Sequence, residues 1–291
     1  MTAIDSAAFF EEQRRYLLNL AYRLLGSRAE AEDAVQDCFL KWREADHASL
    51  DNPQAWLTTL CTRRCIDLLR SARRARVDYV GTWLPEPLPT GDEGSPEQAL
   101  ELASSLSTAF LLLLERLTPK ERAAYLLFEI FDHDYPAIAE VLGVQETACR
   151  KLVSRARSGL AQDKVRHLAP RDRQEQLLDA FHAALASGAT GQLVTLLAED
   201  VELCADGGGK VPTLARILHG KPAVLEFILG SLRGYWADYA WQPSELNGGR
   251  GVLLLSGERV VASVTFAYDE AGRVSNIYIL RNPDKLEMLP T

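Results

Sequence analysis

A chain of 291 residues with 47% hydrophobic and 25% charged residues has ordinary globular composition, and its length suggests two or three domains of about 100 to 150 residues each. The formal net charge of −8 argues against indiscriminate binding to nucleic acid, which depends on neutralising phosphates with Lys and Arg. The longest apolar run, Ala109 to Leu114, falls far short of the roughly 20 residues of a bilayer span, so a soluble, cytoplasmic chain without membrane contact is expected.

In chain order, Tyr16, Leu17, Leu20 and Leu24 recur at helical spacing until Gly26 stops the pattern. Ser27 with Glu30 makes a candidate capping box for a second helix, whose apolar face is Val35, Cys38, Phe39 and Trp42, opposite Glu32 and Asp33. Asn52 and Pro53 suit the cap and first turn of a third helix, packed through Trp56, Leu57, Leu60, Leu68 and Leu69. Trp56 reads as core rather than as a stacking platform. Residues 79 to 96 are rich in Pro and Gly and read as a linker. Helical pattern resumes near Pro96 and runs to Leu168, with Thr118-Pro119-Lys120-Glu121 as a further helix start. Beyond Pro170 come two helices to Ala198, a strand at Val201 to Ala205, a helix around Pro222 to Tyr235, and strands near Tyr239–Gln242, Val252–Leu255, Val260–Phe266 and Val274–Leu280.

Charge is unevenly distributed. Arg63, Arg64, Arg70, Arg73, Arg74 and Arg76 form one basic cluster and Arg150, Lys151, Arg155 and Arg157 another, while Glu86, Asp92, Glu93, Glu97 and Glu101 lie between them. The second cluster belongs to a helix-turn-helix pattern: a short helix to Leu142, a turn at Gly143-Val144 and a basic helix from about Glu146. Val144, Cys149, Leu152 and Val153 would pack inward, leaving Arg150, Lys151, Ser154, Arg155 and Arg157 for a major groove. Cys38, Cys61, Cys65, Cys149 and Cys204 include no CxxC and no Cys/His pairing, so no disulfide framework or metal site is expected.

Over Phe10 to about Leu160 these motifs resemble the extracytoplasmic-function sigma factors. The resemblance implies two all-α sigma domains, no cofactor, and two partners, core RNA polymerase and promoter DNA. Tyr22-Arg23-Leu24-Leu25-Gly26-Ser27 followed by Glu30 to Trp42 resembles the polymerase-docking helices, which carries the docking role to Asp33, Gln36, Asp37 and Trp42. Asn52 to Arg70 resembles the part that recognises the minus-ten element, with Arg63, Arg64, Arg70, Arg73 and Arg74 following a separated strand. The helix-turn-helix would read the minus-thirty-five element. The domains expected are 1–78, a linker at 79–100, 101–168 and 169–291.

The last segment resembles the SnoaL-like, nuclear transport factor 2-like α+β cone. Trp83-Leu84-Pro85-Glu86-Pro87, Asp206-Gly207-Gly208-Gly209-Lys210 and Asn282-Pro283-Asp284-Lys285-Leu286 resemble the subgroup of sigma factors with this fused extension. The resemblance implies control in cis, with Trp83, Leu84, Pro85, Asp206, Gly207, Gly208, Gly209, Lys210, Asn282, Pro283 and Asp284 at an interdomain contact. The glycine run lacks the context and Gly-Lys-Ser/Thr ending of a phosphate loop, so nucleotide binding is not expected. Two alternatives predict different partners. A polymerase-independent repressor would usually need dimer symmetry, whereas this chain carries unlike modules and is expected to be a monomer. An enzymatic or ligand-sensing cone would draw on Asp206, His219, Tyr235, Tyr239 and Asp269, which make no diagnostic constellation, so the chain is not expected to be an enzyme.

Overall fold

The computed structural model describes residues 6–75, 79–90, 104–160 and 169–289, apart from the side chains of 72–75. The chain divides into two compact units, Met1–Val77 with Leu113–Gln162, and Asp78–Leu112 with Asp163–Thr291. The helix start expected near Pro96 lies outside the described residues.

The first unit is helical. Helix α1 (Ser6–Leu25) ends at Gly26, whose left-handed φ of 69° no side chain opposes. Helix α2 (Arg28–Glu44) starts where the Ser27 hydroxyl accepts from the Glu30 amide at 3.1 Å. Helix α3 (Pro53–Ala75) starts where Asn52 accepts from the Ala55 amide at 3.0 Å. These helices pack through Leu17, Leu20, Leu24, Val35, Cys38, Trp42, Leu57 and Cys61, all buried. Helix α4 (Thr108–Leu114) straddles the division between the units. Helix α5 (Pro119–Glu129) carries the full capping box of Thr118 and Glu121. Helices α6 (Tyr135–Leu142) and α7 (Glu146–Leu160) make the helix-turn-helix around Gly143, at φ 61°.

Within this unit the two helical segments pack on each other. Arg122, 3% exposed, donates to the Leu24 carbonyl at 2.7 Å and pairs with Glu115 at 2.8 Å. The Tyr16 hydroxyl meets His133 Nε2 at 2.8 Å.

The second unit is built on a six-stranded sheet in the order β2-β1-β6-β5-β4-β3. Its strands are β1 (Leu197–Asp206), β2 (Leu218–His219), β3 (Ala240–Leu246), β4 (Gly249–Ser256), β5 (Arg259–Tyr268) and β6 (Val274–Leu280). Only β1 and β6 run parallel, which makes the sheet mixed. On one face, Leu177, Phe181 and Leu185 of helix α8 (Arg171–Ser187) share a core with Val201, Val252, Val264 and Ile277. Helices α9 (Gly191–Leu196) and α10 (Lys221–Phe227) add Leu193, Leu196 and Val224 to that core. A π-helical turn (Ile228–Leu232) and a last short helix, α11 (Arg233–Tyr235), follow.

The other face of the sheet is covered by chain expected to be linker and by the start of the segment expected as the second sigma domain. Leu84 and Ala109 join Cys204, Leu246, Leu253, Tyr278, Leu280 and Leu286 in a second core. Pro89 bridges to Leu246, and the Thr90 amide donates to the Glu245 carbonyl at 3.0 Å. Asn247, at the left-handed turn between β3 and β4, accepts from the Leu88 amide at 3.1 Å and donates to the Leu106 carbonyl at 3.0 Å. Buried backbone groups need such partners, and a half-extended Pro-rich strand finds them on a sheet edge.

Candidate functional site

Three groups of side chains carry the expected chemistry: the polar face of α2, the basic residues of α3 and α7, and a cluster in the second unit. On α2, Asp33 and Gln36 are exposed and Asp37 is half-buried, all on one side of the helix. Leu40, one turn further on, is 47% exposed and extends this face with an apolar residue that charge patterning does not flag. Trp42, expected here, is instead fully buried: its indole donates to the Ser6 carbonyl at 2.6 Å, stacks on Phe9 and packs at a tilt against His47. The expectation of a docking role for Trp42 is therefore corrected. A large apolar ring on the inner stripe of an amphipathic helix fills the core, and its one donor is satisfied there. Trp56 is half-buried and packs on Trp42 at 5.9 Å between centroids.

The basic residues of α3 are drawn into contacts within the first unit. Arg64 pairs with Asp37 at 2.7 Å, joining a residue expected at DNA to one expected at polymerase. Arg63 donates to the carbonyls of Val141 at 2.9 Å and Glu140 at 3.1 Å, capping the end of α6 with positive charge. Lys120 adds a bond to the Leu142 carbonyl at 3.2 Å. Arg70 is exposed and pairs with Asp67. The side chains of Arg73 and Arg74, and all of Arg76, lie outside the described residues.

On α7, Cys149, Val153, Ala156 and Leu160 are buried, while Arg150, Lys151, Ser154, Arg155 and Arg157 are exposed together. All five cysteines are buried as free thiols. Contact with Cys61 and burial push the Cys38 thiol well up, and burial pushes Cys204 up to about 12, which makes both poor nucleophiles.

The third group lies in the second unit, around Asp206. This residue is fully buried at the end of β1, where β6 delivers the chain to Asn282. Its carboxylate accepts from the Tyr79 hydroxyl at 2.6 Å, the Leu84 amide at 2.9 Å, the Gly208 amide at 2.9 Å and the Lys285 ammonium at 2.8 Å. Lys285 also donates to the Leu84 carbonyl at 2.7 Å and lies over the rings of Trp83 at 4.6 Å and Tyr79 at 5.1 Å. Burial, then the neighbouring carboxylate, push the Tyr79 hydroxyl well above its ordinary range, so it stays a donor.

The glycines are there because nothing larger fits. Gly208 sits at φ 60°, and a Cβ on it would lie 2.3 Å from the amide nitrogen of Asn282, which itself donates to Tyr79 at 3.0 Å. A Cβ on Gly207 would meet the Val211 carbonyl at 2.6 Å, and one on Gly209 the side chain of Val80. Lys210 pairs with Asp284 at the surface, and Pro283 starts the short 3-10 turn Pro283–Lys285. Trp83 and Leu84 thus meet Lys285 of the final turn, and Leu84 also meets Asp206 at the head of the glycine loop. Of the two side chains that close the network, Lys285 stands inside the Asn282–Leu286 motif without being singled out among the contact residues, and Tyr79 lies before the Trp83 motif and carries no local signal.

The other polar groups weighed for catalysis are engaged with separate neighbours. His219 pairs with Glu202, Asp269 with Arg273, and Tyr235 with Arg281, while Tyr239 packs edge-on to Tyr235.

Comparison with known proteins identifies the helical segments. The Sigma-70 region 2 family matches residues 9–75 and the Sigma-70, region 4 family residues 107–160. The ECF RNA polymerase sigma factor SigJ of Mycobacterium tuberculosis is 38% identical, with 97% of this chain and 93% of that protein covered. A probable ECF RNA polymerase sigma factor, SigI, of the same species is 29% identical, with 97% and 95% covered. The crystal structure of the Mycobacterium tuberculosis SigJ matches with a TM-score of 0.73 at 35% identity, covering 96% of this chain and 97% of that one. No helix among the described residues is long and apolar enough to cross a membrane.

Proposed function

Because this chain belongs to the extracytoplasmic-function RNA polymerase sigma factors, which direct core polymerase to promoters, we propose that its SnoaL-like domain restrains that activity by gripping the linker. The observation that carries this reading is the convergence of Tyr79, Trp83 and Leu84 on buried Asp206 and Lys285. A buried charge pair with every neighbour satisfied holds its partners tightly, because removing one strands the others.

Distance supports a restrained state. Elements centred near minus ten and minus thirty-five are separated by about 25 base pairs, roughly 80 Å of duplex. Arg63 and the Val141 carbonyl, one in each reading module, are 2.9 Å apart. Modules in direct contact cannot sit on both elements, so initiation requires the first unit to open along Arg63, Lys120, Arg122 and the Tyr16–His133 pair. A linker held on the sheet from Tyr79 to Thr90 limits the reach available for opening.

In the open state, Asp33, Gln36 and Asp37 would face polymerase. Arg63, Arg64, Arg70, Arg73 and Arg74 would follow the minus-ten strand, with Arg150, Lys151, Ser154, Arg155 and Arg157 at the minus-thirty-five duplex. The protein acts in the cytoplasm as a monomer, and its third domain regulates rather than catalyses, which the separate engagement of His219, Asp269 and Tyr235 supports.

The test is in vitro transcription with purified core polymerase, comparing the full chain with one ending after about residue 168 and with Asp206→Ala and Trp83→Ala. Restraint by the linker contact predicts more initiation from all three altered proteins. Equal or lower output from each, with the fold intact, overturns it.

A further inference from the structure

The exposed residues of α7 are not equivalent, and their partners sort them. At about 100° per residue, buried Cys149, Val153, Ala156 and Leu160 mark one side of the helix, and Thr147, Lys151 and Ser154 lie on the opposite side, with Arg155 beside them. Arg150 and Arg157 stand at the other shoulder. There the rings of Phe128 and Tyr135 stack at 4.5 Å with 22° between planes, forming a shelf beneath the helix. Arg150 lies over Tyr135 at 4.2 Å and Arg157 over Phe128 at 5.0 Å. Each guanidinium is also neutralised: Arg150 donates twice to Glu146, and Arg157 to Glu129. The side chains of Lys151 and Arg155 have no ion-pair or hydrogen-bond partner among the described residues.

We propose that the two jobs of the recognition helix are divided along this line: Thr147, Lys151, Ser154 and Arg155 read base edges, while Arg150 and Arg157 are positioning residues that fix the helix on its aromatic shelf. This rests on the reading of α7 as the minus-thirty-five reader. An arginine held by a carboxylate and a ring would have to give up both to grip a guanine. A lysine and a hydroxyl on the outermost line reach the groove floor with nothing to surrender. Lysine suits the O6 and N7 acceptors of guanine, and the Thr147 methyl suits that of thymine. Thr147 and Lys151 lie in the first two turns of the helix, the part of a recognition helix that enters deepest, and Ser154 and Arg155 continue the same line into the third.

The experiment measures binding and initiation by the full chain with core polymerase across a library randomised at the minus-thirty-five element, for Lys151→Ala, Ser154→Ala, Arg150→Ala and Arg157→Ala. Thermal unfolding of each variant is recorded alongside. Lys151→Ala and Ser154→Ala are expected to flatten preference at one or two positions, on the order of tenfold each. Arg150→Ala and Arg157→Ala are expected to lower output on every sequence by a common factor and leave the ranking unchanged. Arg150→Lys, which keeps charge but loses the planar contact, should behave like Arg150→Ala. A changed ranking for Arg150→Ala or Arg157→Ala, or an unchanged one for both Lys151→Ala and Ser154→Ala, overturns the division. If the unaltered protein shows no preference anywhere in the randomised element, the minus-thirty-five reading itself has failed.

Discussion

Asp206 and Lys285 form an ion pair at 2.8 Å, with the carboxylate fully buried and the lysine side chain 10% exposed. Removing the carboxylate takes an acceptor from four donors: the Lys285 ammonium, the Tyr79 hydroxyl and the Leu84 and Gly208 amides. Asp206→Ala is expected to cost the second unit about 3–5 kcal/mol. Lys285→Met, which keeps volume and leaves Asp206 three donors, should cost less. Urea unfolding followed by tryptophan fluorescence would rank them, and equal losses would show that the pair acts as packing alone.

Leu84 is 1% exposed in the core between linker and sheet. Leu84→Ala should destabilise that unit by about 2–4 kcal/mol through lost burial and the cavity left behind. Faster hydrogen exchange at Leu88, Thr90 and Asn247 would accompany it, because their bonds hold the same strip of chain.

Gly208→Ala places a methyl group against Asn282 in a left-handed backbone, where glycine alone is at ease. A loss of about 2 kcal/mol or more is expected. Gly257→Ala, at φ 61° with open space around it, carries the backbone cost without the clash. The difference between the two melting curves isolates the contact.

His133 is held below its ordinary pKa of 6.5 by burial, with Asp134 and Asp132 pulling the other way, and it faces the Tyr16 hydroxyl. The unfolded chain therefore takes up the proton before the folded one. Its contribution is complete above pH 6.5 and is lost as pH falls through the lowered folded value. His133→Gln should flatten the stability of the first unit between about pH 7 and about pH 5. An unchanged slope would assign the acid sensitivity elsewhere.

Replacing Trp42 and replacing Asp33 should both lower binding in a polymerase assay, for different reasons. Trp42→Ala should cost about 3–5 kcal/mol and abolish binding by unfolding α2 from its neighbours. Asp33→Ala and Gln36→Ala should change stability by no more than about 0.5 kcal/mol while weakening polymerase binding. Pull-down with core polymerase, read beside circular dichroism, separates the two.

These contrasts mark where sequence reasoning reached its limit. Caps and turns were legible because their chemistry is local: Thr118 with Glu121, Asn52 with Pro53 and Gly143 each announce a boundary within four residues. The long strands β4, β5 and β6 were legible from alternation and β-branching. Strand β2 was not, since Leu218–His219 is too short to carry a period. The partners of Arg63 are main-chain carbonyls, which have no sequence signature. The buried place of Trp42 was legible from the apolar stripe of α2, and its docking role came from the family resemblance alone. Pro89 on β3 was hidden because prolines signal a loop, and only an edge with a free donor could accept them.

Parallel pairing of β1 with β6 has a consequence in time. Tyr79 and Asn282, joined in the final network, are 203 positions apart, and Lys285 follows Asp206 by 79. Synthesis runs from the amino end, so both reading modules have left the ribosome before Lys285 has been added. A newborn molecule therefore passes through an interval in which its modules are complete and their clasp does not yet exist. That interval lasts as long as translation from the end of the second module at Leu160 to Lys285 takes, and slow codons there would lengthen it.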